Sequence, residues 1–96
     1  MSGINVIITF TTKPESAIQF STMLAQVKQA LPTVDGCKSV RLFAAIDNPC
    51  TFTLLEEWES EAKHKSHLEQ VVSSGAWDAI AAHLATDPVS HYYIER

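Results

Sequence analysis

Phe52-Thr-Leu-Leu-Glu-Glu-Trp58-Glu-Ser60-Glu-Ala-Lys-His64-Lys-Ser-His67-Leu68 joins a strand to a helix across the hinge Trp58-Glu59-Ser60. Side chains alternate across a pleat, so Phe52, Leu54, Glu56 and Trp58 share one side of the strand. Ser60 is a good N-cap, and Glu59 and Glu61 beside it favour the positive end of the helix that follows. That helix carries two histidines on or near its apolar stripe, because His64, Leu68 and Val71 fall together at helical spacing.

The rest of the chain reads outward from this segment as β, α, β, β, α, α, β. Residues 4–10 alternate, with Ile4, Val6, Ile8 and Phe10 on one face and Asn5, Ile7 and Thr9 on the other. Thr12-Lys-Pro-Glu15 spells a capping box, with Pro14 tolerated in the first turn. The helix after it shows Ala17, Phe20, Leu24, Val27 and Leu31 at helical spacing, and Pro32 and Gly36 end it. A second strand spans 37–45, and Asp47-Asn48-Pro49 turns the chain into the third. The helix after Trp58 runs to about Val72, where Ser73-Ser74-Gly75 breaks it. A short helix with Trp77, Ile80, Ala81 and Leu84 on one stripe follows, and residues 89–94 form the last strand. This is a ferredoxin-like βαββαβ order of the α+β class, an antiparallel sheet with helices on one face.

Were the other face of the sheet bathed only in water, the strands would alternate cleanly between apolar and polar. They do not: Ile7, Phe43, Ala45 and Leu55 are apolar opposite Ile8, Leu42, Ala44 and Leu54. Such a sheet needs a second cover, and the same sheet from a twofold-related copy is the simplest one. A homodimer by sheet-to-sheet packing is therefore expected.

Composition narrows the function. The 96 residues make one domain, 1–96, and 46% of them are hydrophobic, ample for a packed core. A net charge of −4 with no basic cluster argues against a nucleic-acid partner. The apolar run at 4–10 contains Asn5 and Thr9 and lacks a basic leader, so no signal peptide or membrane span is expected. Two cysteines without a Cys-x-x-Cys suit a reducing cytoplasm. No Gly-rich phosphate loop, nucleophile elbow or Ser/His/Asp spacing is present.

The strand–helix segment resembles the antibiotic biosynthesis monooxygenases, a family of dimeric α+β barrels that includes small quinol monooxygenases. In that family an aromatic strand runs into a Leu-Tyr-Glu-x-Trp-type segment, an acidic turn and a helix with a histidine nine positions after the tryptophan. Phe52, Leu54, Leu55, Glu56, Trp58, Glu59, Ser60, Glu61, His67 and Leu68 fit that pattern. The resemblance implies a barrel-forming homodimer with one cleft per subunit between sheet and helices. It also implies cofactor-independent oxidation by dioxygen of a quinol or polyphenol-like small aromatic. A non-catalytic dimer of the same fold that binds a small apolar ligand is the alternative.

Within that expectation His67 is the base or phenol partner, or else a ring that braces the strand–helix turn. Glu56 is a semi-buried carboxylate for proton transfer or a satisfied structural pair, and Asn5 is an orienting group or a residue facing water or the partner subunit. Phe52 and Trp58 are expected to wall the cleft, with His64 and Trp77 completing the substrate site. Trp58 and Trp77 also read as core. His64 and His67 give two metal ligands where zinc takes about three or four from the protein, so no metal is expected. The Asn, Trp and proximal His of haem-degrading relatives do not map. Asn5 lies on the right strand, but His67 stands in the place of that Trp, and the proximal histidine would have to be His83. No haem or other cofactor is expected. His83 and His91 read as surface residues, and one of Tyr92 and Tyr93 points inward by parity.

Overall fold

The computed structural model describes residues 3–96. The chain runs β1 (Ile4–Thr11), α1 (Ala17–Ala30), β2 (Cys37–Ala44), β3 (Thr51–Trp58), α2 (Glu61–Ser73), α3 (Ala76–Ala81) and β4 (Val89–Tyr93), with 3-10 turns at Pro14–Ser16 and Leu31–Thr33 on either side of α1. Every strand pairing is antiparallel and the order across the sheet is β2-β3-β1-β4. The α+β, ferredoxin-like arrangement expected from the pattern of elements is the one found. β2 and β4 each stop one residue short of the expected ends, at Ala44 and Tyr93.

The register explains which residues make the core. Ile4, Val6, Ile8 and Phe10 of β1 stand opposite Trp58, Glu56, Leu54 and Phe52 of β3, and all eight face the helices. Val6, Phe10, Phe52, Leu54 and Trp58 are buried there with Phe20, Leu24, Leu31 and Val40. At one end of this layer the Phe20 ring lies 5.2 Å from Phe10 and 6.0 Å from Phe52, an edge and a tilted contact that suit aromatic quadrupoles. His83, expected at the surface, is partly buried. Its ring packs 6.1 Å from Phe20, and its carbonyl accepts the Lys13 N–H at 2.9 Å.

Local and long-range signals compete at the two helix starts. Ser60 caps α2 as its sequence predicts, its hydroxyl accepting the Lys63 N–H at 3.2 Å. The capping box expected at Thr12 does not form. Thr12 N–H donates to the Cys50 carbonyl at 2.8 Å, which prolongs the strand edge and buries the side chain with its hydroxyl unpartnered among the described residues. Helix α1 begins later, with Ser16 at its N-cap and no side-chain cap bond.

The loop into β2 is clamped to the start of α2. Gly36 adopts φ +92°, and a Cβ there would come within 2.6 Å of the Lys63 side chain. Glu59 N–H donates to the Gly36 carbonyl at 2.8 Å, and Lys63 pairs with Asp35. At the far end of α2, Gly75 turns the chain at φ +85° into α3, and a Cβ on it would touch nothing. Among the described residues no helix is long and apolar enough to cross a membrane.

The face of the sheet away from the helices is mixed. Arg41, Leu55, Ile7 and His91 form one row across it, and Phe43, Thr53, Thr9 and Val89 the next. Phe43, Val89 and Tyr93 are exposed on that face, while Thr9 and Thr53 bond hydroxyl to hydroxyl at 2.9 Å.

Candidate active site

Trp58 ends β3 with 0% of its surface exposed, so its indole N–H must find an acceptor inside the protein. It donates to Oε1 of Glu56 at 2.9 Å, two residues back on the same face of the strand. Glu56 is itself 6% exposed. Burial pushes its carboxyl above the ordinary range, and the bond from Trp58 opposes that rise.

Helix α2 lays two histidines over this pair, three residues apart and therefore neighbours. His64, 5% exposed, meets the Trp58 ring edge-on at 5.2 Å. Its Nδ1 is 2.8 Å from the hydroxyl of Tyr92, and its Nε2 is 3.8 Å from Oε1 of Glu56. Burial, and then the neighbouring His67, lower its pKa to about 4. The approach to Glu56 is accordingly a neutral imidazole facing a carboxyl rather than an ion pair. His67 lies 5.4 Å from the Trp58 ring, is half-buried, and is lowered in pKa by burial. Its ring makes no hydrogen bond to protein among the described residues.

These groups open onto a cavity of about 610 Å³ between the sheet and the helices. Val6, Ile8 and Leu54 floor it, Leu24, Val27, Leu31 and Val34 form one side, and Leu68, Val71, Trp77 and Ile80 the other. The lining is apolar apart from Glu56, His64 and His67, which cluster together, and the more distant Thr33 and Ser90. A concave apolar space with a few convergent polar groups is the usual form of a small-molecule site. Among the described residues no three His, Cys, Asp or Glu side chains are grouped to hold a metal ion.

Glu56, His64, His67 and Trp77 thus line one cavity. Three other expected site residues do not. Phe52 packs beneath the cavity against Phe20, and Trp58 stands behind the histidines as a support rather than as wall. Asn5 is on the opposite face of the sheet, in register with Glu57 and Tyr93, because its parity differs from that of Val6. Tyr92 was not singled out by the sequence. Its parity with Ser90 is the only sequence signal, and the pairing Val6↔Tyr92 turns it towards the helices.

The low pKa of His64 has a measurable consequence. With an unfolded value of 6.5 and a folded value of about 4, the unfolded chain binds more protons between those limits. Stability contributed by His64 is present above pH 6.5 and is lost as pH falls towards 4, on the order of 3 kcal/mol in all. His67 acts in the same direction. Glu56, raised, acts against both, since its ionisation above its unfolded pKa of 4.5 disfavours the fold. Urea denaturation is expected to give a more stable protein at pH 7 than at pH 4.5, with a smaller gain in His64→Gln. An equal gain in that variant would remove His64 as the source.

No curated protein matches the chain. Solved structures do match its whole length in fold. The antibiotic biosynthesis monooxygenase homologue from Bordetella bronchiseptica is 23% identical with a TM-score of 0.84, covering 100% of this chain and 99% of that one. A conserved protein from Methanosarcina mazei Go1 is 21% identical with a TM-score of 0.85, covering 100% and 95%. A variant of SnoaB, a cofactor-independent oxygenase from Streptomyces nogalater, is 14% identical with a TM-score of 0.83, again covering 100% and 95%. At these identities the likeness speaks for the fold. The family model described as antibiotic biosynthesis monooxygenase matches residues 3–93, and on that match the chain belongs to the antibiotic biosynthesis monooxygenase family.

Proposed function

We propose that the protein is a cofactor-independent monooxygenase that oxidises a quinol or polyphenol-like small aromatic with dioxygen. The observation that carries this reading is the meeting of Glu56, His64 and His67 at one place in a largely apolar cavity. An aromatic ring fits the apolar part, and its hydroxyl is directed to the polar cluster. His67 is the base, because burial favours its neutral imidazole and no protein group among the described residues occupies its ring nitrogens. The quinolate formed is its own reductant: it passes one electron to dioxygen, and the semiquinone and superoxide join through a new C–O bond. The imidazolium of His67 returns its proton to the peroxide. Loss of the ring C–H proton and of hydroxide from the outer oxygen, together one water, leaves a carbonyl. Quinol and dioxygen give hydroxyquinone and water, so atoms and electrons balance. The dry cavity holds the partners close and shields the radical pair.

The outer sheet face is read as the contact of a homodimer, supported by the row through Ile7 and Leu55 and by exposed Phe43, Val89 and Tyr93. The free thiols of Cys37 and Cys50 support a cytoplasmic setting.

Oxygen uptake with a panel of reduced quinols tests the activity. The expected result is consumption above the enzyme-free rate for at least one of them, reduced about 100-fold or more in His67→Ala. Uptake at the autoxidation rate across the panel ends the monooxygenase reading and leaves ligand binding as the function of the cavity.

A further inference from the structure

Tyr92 is the one aromatic side chain from the edge strand that reaches the polar cluster, and the reaction outlined above leaves it without a role. Its hydroxyl is 2.8 Å from Nδ1 of His64, whose other nitrogen faces Glu56. A neutral imidazole carries one N–H, so the two contacts cannot be chosen independently. With the proton on Nδ1, the lone pair of Nε2 would point at a carboxyl oxygen that is already an acceptor from Trp58. With the proton on Nε2, that nitrogen donates towards Glu56 and Nδ1 accepts from the phenol, the stronger acid of the two. The second arrangement sets no acceptor against another acceptor and leaves the Nε2–H turned towards Glu56.

We propose that Tyr92 is a positioning residue that fixes His64 in the Nε2–H form and so makes the cluster selective for a ligand hydroxyl. The gap of 3.8 Å between Nε2 of His64 and Oε1 of Glu56 is too long for a direct hydrogen bond. An oxygen about 2.8 Å from each atom bridges it. That oxygen accepts from His64 and donates to Glu56, which a hydroxyl does and an ether or a carbonyl does not. In the other His64 tautomer both protein atoms are acceptors and the discrimination is lost. Tyr92 acts at one remove from the ligand. It is 37% exposed and its ring also lies under the Lys65 ammonium at 5.9 Å, so removing its oxygen alone leaves its packing in place.

The inference rests on the reading of this cavity as a site for hydroxylated aromatics, but not on turnover, and its test needs none. Heteronuclear NMR of the His64 ring nitrogens is expected to show Nε2 protonated and Nδ1 bare in the native protein, and exchange between both forms in Tyr92→Phe. Calorimetric titration with α-naphthol and with its methyl ether is expected to favour the naphthol by about tenfold in the native protein, the value of one hydrogen bond. In Tyr92→Phe the preference should fall to about threefold or less. A native His64 protonated on Nδ1 overturns the proposal. So does a variant with the native tautomer and the native preference, or a native protein that binds neither compound up to its solubility. Loss of oxygen uptake with these results intact would count against the monooxygenase reading alone.

Discussion

Trp58→Ala is expected to cost the fold about 3–5 kcal/mol from the cavity left by its ring, and about 1–3 kcal/mol more because Glu56 loses its buried donor. Domains of this size have about 5–15 kcal/mol to lose, so the variant should be largely unfolded at room temperature or shift its urea midpoint by most of its range. The expectation follows from position. Trp58 is fully buried at the end of β3, stands in register with Ile4 on one side and Cys37 on the other, and contacts both helix histidines. Trp58→Phe separates the two contributions. It restores most of the ring, recovers most of the packing, and leaves the Glu56 carboxyl still higher in pKa because nothing then opposes its burial. A loss under about 1 kcal/mol in Trp58→Ala would show that the ring supports nothing.

Ile7→Asp is expected to convert a dimer into folded monomers. Light scattering of the native protein at micromolar concentration should give twice the 10.6 kDa chain mass. By twofold symmetry the substitution buries two carboxylates per contact, each costing several kcal/mol unpaired, and about 4 kcal/mol alone weakens association about a thousandfold. Ile7 is a cleaner choice than Leu55. An aspartate at Leu55 would stand directly beside Arg41, whereas the cross-strand neighbours of Ile7 are Leu55 and His91. The fold of each chain should survive, since Ile7 points away from the helix-side core. A native protein that scatters as a monomer would sink the dimer.

Parity within one strand carried the reading of the core far. The split of Phe52, Leu54, Glu56 and Trp58 from Thr53, Leu55 and Glu57 is seen as inferred, and so are the Ser60 cap and the inward turn of His64. Depth within the buried face was not legible. Parity places Phe52 and Trp58 on the helix side, but only packing shows that Phe52 is engaged with Phe20 and Trp58 with the two histidines, and that neither lines the cavity. Family pattern places Asn5 in the site, whereas its own alternation with Val6 puts it on the other face, where it is found. The choice of Tyr92 over Tyr93 depends on the pairing of β4 with β1, in which Val6 meets Tyr92 from the other end of the chain. At Thr12 a local capping signal lost to the bonds of Thr12 with Cys50 and of Lys13 with His83, both partners distant along the chain.

The two walls of the cavity differ in how freely they can change. Glu56 and the Trp58 behind it belong to the central sheet, and α2 is held to the β2 loop by Gly36, Asp35 and Lys63 at its first turn. The short helix α3, reached through Gly75, contributes Ala76, Trp77 and Ile80 to the lining, none of them buried. Substitutions there alter the shape of the site at little cost to the fold, whereas substitutions around Trp58 do the reverse. Selection can therefore reshape the cavity through α3 while Glu56, His64, His67 and the tryptophan behind them are inherited unchanged.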